Sequence, residues 1–252
     1  MTALLDVEHL AKAYNGVPAV RGVSFTLARG ELLALIGPNG AGKSTCFNML
    51  NGQIKPDAGA VRLDGRDVTG LKPSQMFRLG AGRTFQITAT FGSMSVRENV
   101  QVAMLSRMGA LSRLWGVPSV DADALLDLVG MKQQAQRPAA ELAYGDLKRL
   151  ELAVALAGEP LMLLMDEPTA GMAPKERAEL MALTARLARE RSLGVLFTEH
   201  DMDVVFEHAD RLMVLSRGEL IAEGSPAQVR RDPQVRAVYL GEGRAYAAEA
   251  AS

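Results

Sequence analysis

The chain has 252 residues, of which 48% are hydrophobic, and its 28 basic and 29 acidic residues give a formal net charge of -1. This length and apolar content suffice for a sizeable core, whereas the balanced charge gives no electrostatic reason to expect a nucleic-acid partner. The single cysteine, Cys46, excludes an intramolecular disulfide framework, and no apolar stretch approaches the roughly 20 residues of a membrane-spanning helix.

The first part of the chain predicts short strands around one helix. Its first ten residues lack a basic start followed by an apolar run, so we expect no secretory signal. Apolar residues alternate in two stretches, as in half-buried strands, and a third stretch is continuously apolar, as in a fully buried strand. The sequence therefore predicts strands over residues 4–10, 20–27 and 32–36, a helix over 43–50 and a hairpin over 60–68.

The middle of the chain has helical rather than strand periodicity. Apolar residues recur at helical spacing between residues 96 and 158, for example at Val100, Ala103 and Met104. Pro118 and Asp121 mark a helix start within this stretch, and the polar residues 133–140 predict a loop.

Alternation of strands and helices resumes after residue 158. The sequence predicts strands over 161–165 and 195–198, a helix over 174–191, a hairpin over 211–222 and a frayed Ala-rich tail after Gly241. We therefore expect one α/β domain whose core comprises residues 1–95 and 159–252, with a helical lobe of residues 96–158 inserted into it.

A glycine-rich turn lies between the predicted buried strand over 32–36 and the helix over 43–50. It matches the Walker A pattern in full, in the strand–turn–helix context that the motif requires. The glycines let backbone N–H groups converge on phosphate oxygens, Lys43 reaches the β- and γ-phosphates, and the Ser44 hydroxyl ligates Mg²⁺. The matching residues are Gly37, Pro38, Asn39, Gly40, Ala41, Gly42, Lys43 and Ser44.

Two acids, Asp166 and Glu167, end the apolar run over 161–165. Asp166 at the tip of a buried strand is suited to holding Mg²⁺, and Glu167 to orienting or deprotonating an attacking water. The alternative is a pair of surface acids that cap a strand. His200 follows another predicted strand and is placed to contact a γ-phosphate, although a lone histidine is more often a plain loop residue.

Further motifs narrow the class. Residues 142–146, with Ala143, Tyr144, Gly145 and Asp146 at their core, resemble the signature sequence of ABC ATPases. Gln86 resembles their Q-loop glutamine, Tyr14 the aromatic that stacks on adenine, and His200 their switch histidine. The chain is thus similar to an ABC transporter ATPase over nearly its whole length. The resemblance implies a P-loop, RecA-like α/β core with an antiparallel β subdomain and an inserted helical subdomain.

A closer resemblance is to the ATPases of branched-chain amino-acid importers. It rests on residues 83–86, the tyrosine form of the signature, residues 149–153, 170–172 and 199–202, and the ending over 232–242. Relatives in that group serve urea, amides and aromatic acids. The lipopolysaccharide-export ATPase has a similar ending and is a rival interpretation. A soluble ABC ATPase acting on ribosomes or DNA, and a binding-only regulator, are the rivals of other classes.

The resemblance implies two ATPase subunits, identical or different, with each ATP between the Walker A motif of one and the signature of the other. It assigns Thr45 and Gln86 to ATP binding beside the Walker A residues, and Ser44, Gln86 and Asp166 to Mg²⁺. It implies two membrane permease subunits, an indirect periplasmic or extracellular binding protein, and a peripheral position on the cytoplasmic face of the membrane. Ala143 and Ala173 depart from the family's usual serine and aspartate.

Overall fold

A computed structural model describes residues 3–84, 90–107 and 121–240 of the chain. Within these residues the strands form two sheets, one of four strands and one of six. The strands are β1 (Leu5–Tyr14), β2 (Val17–Leu27), β3 (Leu32–Ile36), β4 (Ala58–Leu63), β5 (Arg66–Asp67), β6 (Ala81–Thr84), β7 (Met162–Asp166), β8 (Gly194–Thr198), β9 (Arg211–Ser216) and β10 (Glu219–Gly224).

Helices cover the larger sheet and fill the space between the sheets. They are α1 (Lys43–Leu50), α2 (Pro73–Arg78), α3 (Val96–Arg107), α4 (Ala122–Leu128), α5 (Tyr144–Leu156), α6 (Pro174–Arg191), α7 (Met202–His208), α8 (Pro226–Arg231) and α9 (Pro233–Leu240). None of the helices in the described ranges has the length and apolar character needed to span a bilayer.

The six-stranded sheet has the order β10-β9-β3-β8-β7-β6, and all its neighbours are parallel except the terminal β9–β10 hairpin. Strands β3, β7 and β8 are buried along their whole length because both faces of the sheet are covered. In β3, Leu33 and Leu35 join the core cluster beneath the smaller sheet, whereas Leu32, Ala34 and Ile36 join the cluster under the helices. The period of two along the strand explains this division.

The smaller sheet is antiparallel, with the order β2-β1-β4-β5. Its first hairpin pairs Leu5 with Leu27 and Tyr14 with Val17. The buried side chains of β1, β2 and β4 pack against Phe47 and Leu50 of α1 in one core cluster. The smaller sheet therefore holds the helix that follows the glycine-rich turn.

Helices α3, α4 and α5 lie between β6 and β7 in the chain and pack on one another. Val100, Leu126 and Leu150, one from each helix, belong to the same core cluster. Asp121 caps α4 by accepting a hydrogen bond from Ala124 N–H at 2.9 Å. Arg97 of α3 pairs with Asp123 of α4 at 2.8 Å, which adds a polar tie at the edge of this cluster.

The predicted elements are confirmed most closely where apolar patterning is strong. Helices over 43–50 and 174–191 begin and end at the predicted residues, and strands and hairpins lie within a few residues of theirs. The segment predicted as a loop over 133–140 contains short 3-10 turns at Lys132–Gln134 and Ala139–Glu141. Sequence patterning did not find α2, β6, α7, α8 or α9, and the predicted tail after Gly241 lies outside the described residues.

Candidate nucleotide-binding site

The Walker A turn connects β3 to α1 at the carboxyl edge of the parallel sheet. Gly37 and Gly42 have φ values of 153° and 104° and lie against other backbone segments. A Cβ atom on Gly37 would come within 2.2 Å of the Leu215 carbonyl oxygen, and one on Gly42 within 2.4 Å of the Ala19 carbonyl oxygen. Only glycine fits these two positions, because both the dihedral angle and the close approach exclude a side chain.

Lys43 is the first residue of α1 and is buried, with 8% of its surface exposed. Its Nζ donates hydrogen bonds to the carbonyl oxygens of Gly37 at 2.6 Å and Pro38 at 3.1 Å. The ammonium group thus lies inside the turn. Ser44 is exposed and Thr45 half-buried in the first turn of α1, where the helix dipole favours an anion.

The β9–β10 hairpin supports the outer side of this turn. Gly218 donates its backbone N–H to the Ala41 carbonyl at 2.9 Å, and its own carbonyl accepts from Arg21 N–H at 2.8 Å. The hairpin predicted over 211–222 is thus confirmed, and its turn at Arg217 and Gly218 lies against the glycine-rich turn.

Asp166 is the last residue of β7 and is 8% exposed. Strand β7 is separated from β3 by β8 alone. One of the Asp166 carboxylate oxygens accepts a hydrogen bond from Thr198 Oγ1 at 2.7 Å. The other lies 3.6 Å from the Arg83 guanidinium, which also donates to Asn48 of α1 at 3.1 Å. Neighbouring strands therefore hold this carboxylate from both sides, and desolvation lowers the pKa of Arg83.

Glu167 and His200 meet at the same edge. Glu167 has a positive φ of 49° and donates its backbone N–H to the Thr198 carbonyl at 3.1 Å. Its Oε1 lies 2.8 Å from His200 Nε2, and both side chains are partly exposed. A carboxylate and an imidazole in contact, both open to solvent, can orient a water and exchange a proton.

Glu199 is a member of this site that the sequence analysis did not select. It is buried, and its Oε1 accepts hydrogen bonds from the backbone N–H of Thr169 at 2.8 Å and from Thr169 Oγ1 at 2.6 Å. Its other oxygen accepts from His200 N–H at 3.1 Å. The carboxylate joins the loop after β7 to the loop after β8. Its position directly after a buried strand was the signal from which the sequence could have identified Glu199.

Tyr14 and Gln86 complete the predicted nucleotide residues. Tyr14 ends β1 with 45% of its surface exposed, and Lys12 Nζ lies 5.9 Å from the centre of its ring. The ring is thus available for stacking. Gln86 lies outside the described residues, as do the other members of 85–89.

The predicted signature residues form the start of α5. Ala143 is the N-cap, with extended φ and ψ of -62° and 155°, and provides no side-chain cap. Tyr144 is 47% exposed, and its hydroxyl donates to the Ala170 carbonyl at 3.0 Å. Gly145 packs on Glu176, and Asp146 accepts a hydrogen bond from Gln134 Nε2 at 3.0 Å. The structure brings this helix start beside the loop after Glu167 in the same chain.

Comparisons with known proteins identify the family. A model of the ABC transporter family matches residues 20–170, and a model described as branched-chain amino acid ATP-binding cassette transporter matches residues 219–245. The chain is 40% identical to the high-affinity branched-chain amino acid transport ATP-binding protein LivG of Salmonella typhimurium, over 95% of this chain and 98% of LivG.

Two further likenesses agree with the first. BraF of Pseudomonas aeruginosa, also a branched-chain amino acid transport ATP-binding protein, is 38% identical over 95% of this chain and 98% of BraF. The ADP conformation of the ABC transporter cassette MJ1267 superposes with a TM-score of 0.86 at 31% identity, over 96% of this chain and 100% of that one. The chain therefore belongs to the ATP-hydrolysing, ATP-binding subunits of ABC transporters.

Proposed function

We propose that the chain powers the import of branched-chain amino acids, or of related amino acids and amides, through membrane partner subunits. The observation that carries this proposal is the 40% identity to LivG over nearly the full length of both chains. The match of residues 219–245 to the branched-chain amino acid cassette model adds independent support from the end of the chain.

ATP binding begins at the Walker A turn. Backbone N–H groups of residues 37–45 surround the phosphates, and Lys43 exchanges the carbonyl oxygens of its own turn for β- and γ-phosphate oxygens. The exposed ring of Tyr14 stacks on the adenine. Because Lys43 is already buried and oriented, little of its side-chain entropy is lost on binding.

The oxygen donors at the sheet edge suit Mg²⁺, which prefers hydroxyl, carboxylate and water oxygens. The Ser44 hydroxyl, the Asp166 carboxylate and the amide oxygen of Gln86 would hold it. Asp166 is fixed for this task by its hydrogen bond from Thr198 at 2.7 Å. Held by these residues, Mg²⁺ would supply positive charge to offset the negative charge that develops on the phosphates.

Hydrolysis uses the pair formed by Glu167 and His200. Glu167 orients the attacking water and accepts its proton, and His200 Nε2 contacts this carboxylate at 2.8 Å in the absence of ATP. With ATP bound, the same Nε2 would instead donate toward the γ-phosphate. Glu199 holds the His200 backbone by a hydrogen bond at 3.1 Å and is therefore a positioning residue.

The second half of each site comes from another ATPase subunit, which is either a second copy or a related chain. Ala143, Tyr144, Gly145 and Asp146 at the start of α5 face the ATP that the other subunit binds. Because Ala143 has no hydroxyl, the phosphate contact there falls to the backbone N–H groups of the helix start. ATP favours the closed pair, and hydrolysis removes the contacts that favour it.

The partners follow from this role. Two membrane permease subunits dock their coupling helices on the helical lobe of residues 96–158 and on residues 87–94. A periplasmic or extracellular binding protein acts through those permeases, and the chain is peripheral on the cytoplasmic face. No nucleic acid takes part, in keeping with the net charge of -1.

The test isolates a trapped complex from the native membrane. A Glu167→Gln subunit binds ATP and stalls before hydrolysis, so with ATP and Mg²⁺ it should retain its membrane subunits. Recovery of amino-acid permeases, with ATP hydrolysis by the wild-type complex stimulated by a branched-chain amino acid and its binding protein, supports the proposal. Recovery of lipopolysaccharide-export subunits, or of no membrane protein, contradicts it.

A further inference from the structure

The start of α5 is bonded to the loop that follows Glu167 in the same chain. The Tyr144 hydroxyl donates a hydrogen bond to the Ala170 carbonyl oxygen at 3.0 Å. A Cβ atom on Gly171, the next residue, would lie 3.4 Å from the Tyr144 ring. The ring therefore lies along this loop, and its hydroxyl is fixed to the loop's backbone.

A second contact connects the same two segments. A Cβ atom on Gly145 would come within 2.8 Å of Glu176 Oε1, so the backbone at Gly145 packs directly on this carboxylate. The other oxygen of Glu176 accepts a hydrogen bond from the Ala173 backbone N–H at 3.3 Å. The start of α5 is thus attached to the loop at Ala170 and, through Glu176, at Ala173.

The loop passes these contacts directly to the catalytic carboxylate. Ala170 donates its backbone N–H to the Glu167 carbonyl at 3.2 Å, and the Glu167 side chain contacts His200 at 2.8 Å. Glu167 has a positive φ of 49°, a conformation that its surroundings must maintain. Movement of Tyr144 is therefore expected to change the position of Glu167.

We propose that Tyr144 is a positioning residue that couples the two ATP sites of the closed pair. This inference rests on the proposed function, in which the start of α5 contacts the ATP of the other subunit. When that ATP is bound or lost, the start of α5 shifts, and Tyr144 transmits the shift to Glu167 of its own subunit. Hydrolysis on one subunit then depends on ATP held by the other. The route through Tyr144 does not use the side chain of residue 173, where an alanine stands in this chain.

Exposure of the tyrosine fits coupling better than a role in stability. Tyr144 is 47% exposed, and its hydroxyl makes one hydrogen bond at the surface, which adds little to the free energy of unfolding. Lys148 Nζ lies 5.5 Å from the ring centre and is itself paired with Glu151 at 3.0 Å in the interior of α5. The ring therefore lies between the Lys148 side chain of its own helix and the loop after Glu167.

The experiment compares one substitution in two positions of a mixed pair. One subunit carries Glu167→Gln and holds ATP without hydrolysing it, so phosphate released in a single turnover comes only from its partner. Tyr144→Phe is placed either in the hydrolysing subunit or in the subunit with Glu167→Gln. Both pairs contain the same substitutions, so a general folding defect lowers the two rates alike.

Coupling through the proposed route predicts a loss of roughly fivefold in the rate when Tyr144→Phe is in the hydrolysing subunit. The loss should be clearly smaller when Tyr144→Phe is in the subunit with Glu167→Gln. Equal losses, or a larger loss in that second arrangement, would overturn the coupling role while leaving the proposed function in place. Failure of ATP to join the two subunits at all would contradict the proposed function and this inference together.

Discussion

Ala143 leaves the start of α5 without a capping side chain. Its φ and ψ of -62° and 155° suit an N-cap, and a serine there has an oxygen to accept a backbone N–H of the first turn. We predict that Ala143→Ser raises the free energy of unfolding by about 1 kcal/mol, measured by denaturant titration. The control is Ala124→Ser, at an exposed position within α4, which should lower it slightly. A destabilised Ala143→Ser protein would contradict the observed cap geometry.

Cys46 is fully buried in α1, and burial raises the pKa of its thiol from 9.0 to about 12. The unfolded chain therefore releases this proton at lower pH than the folded one. Stability from the neutral thiol is fully present below pH 9.0 and is lost as pH rises toward about 12.

The corresponding prediction uses Cys46→Ala, whose cavity lowers stability at every pH. The deficit of Cys46→Ala relative to wild type should shrink by about 1.4 kcal/mol per pH unit above pH 9, because only wild type carries the thiol. Denaturant titrations at several pH values between about 8 and 11 measure this difference. Parallel pH curves for the two proteins would rule it out.

At the scale of elements, two glycines of the Walker A turn differ in the space that a side chain would have. Gly40 and Gly42 both have positive φ, of 77° and 104°. Open space surrounds a Cβ atom on Gly40, whereas one on Gly42 would lie 2.4 Å from the Ala19 carbonyl of β2. We predict that Gly40→Ala lowers the free energy of unfolding by about 1 kcal/mol, and Gly42→Ala by a further 1–3 kcal/mol or so.

Thermal and denaturant unfolding of the two variants without nucleotide measure this contrast. The pair is matched in chemistry and in position within one turn, so the comparison isolates the close approach of β2. Equal destabilisation of the two variants would show that the dihedral angle alone decides the preference for glycine.

Phe91, just before α3, bears on how the helical lobe meets the membrane subunits. Its ring is 52% exposed and so does not belong to the hydrophobic core. We predict that Phe91→Ala keeps the ATPase of the isolated subunit and its melting temperature, because surface substitutions change stability by only about 0.5 kcal/mol. Transport by the assembled complex should fall. Equal loss of ATPase and transport, with a lower melting temperature, would contradict this role.

Sequence patterns predicted the elements that bury apolar runs or carry motif glycines. The run over 161–165 identified β7 because a central parallel strand is apolar on both faces. Strand β6, Ala81–Thr84, escaped detection because Ala-Gly-Arg-Thr has neither such a run nor alternation. Short helices such as α2, with six residues, depend on tertiary packing that periodicity does not encode.

Some residues of the candidate site could likewise be selected from the sequence, whereas the contacts between them could not be predicted. Lys43, Asp166 and Glu167 could be selected because each stands at a fixed offset from a strand end. The contacts of Arg83 with Asp166, of Glu199 with Thr169 and of Tyr144 with Ala170 join segments distant in sequence. No local pattern predicts them, since they arise from the way distant segments pack together in the fold.

At the scale of the whole molecule, the order β3-β8-β7 brings the functional residues to one edge. Parallel strands end on the same side of a sheet, so the Walker A turn, Asp166 and His200 converge although they are far apart in the chain. The start of α5, by contrast, adjoins the loop after Glu167 and has its exposed face available to a second subunit. The proposed function therefore requires two chains for each ATP site.

The most direct measurement is the sedimentation of the Glu167→Gln protein with Mg²⁺ and either ATP or ADP. With ATP, we predict a species with the mass of two chains, because stalled hydrolysis preserves the phosphate contacts of both subunits. With ADP, we predict single chains. Single chains in ATP, or the same paired mass with either nucleotide, would contradict an ATP site shared between two subunits.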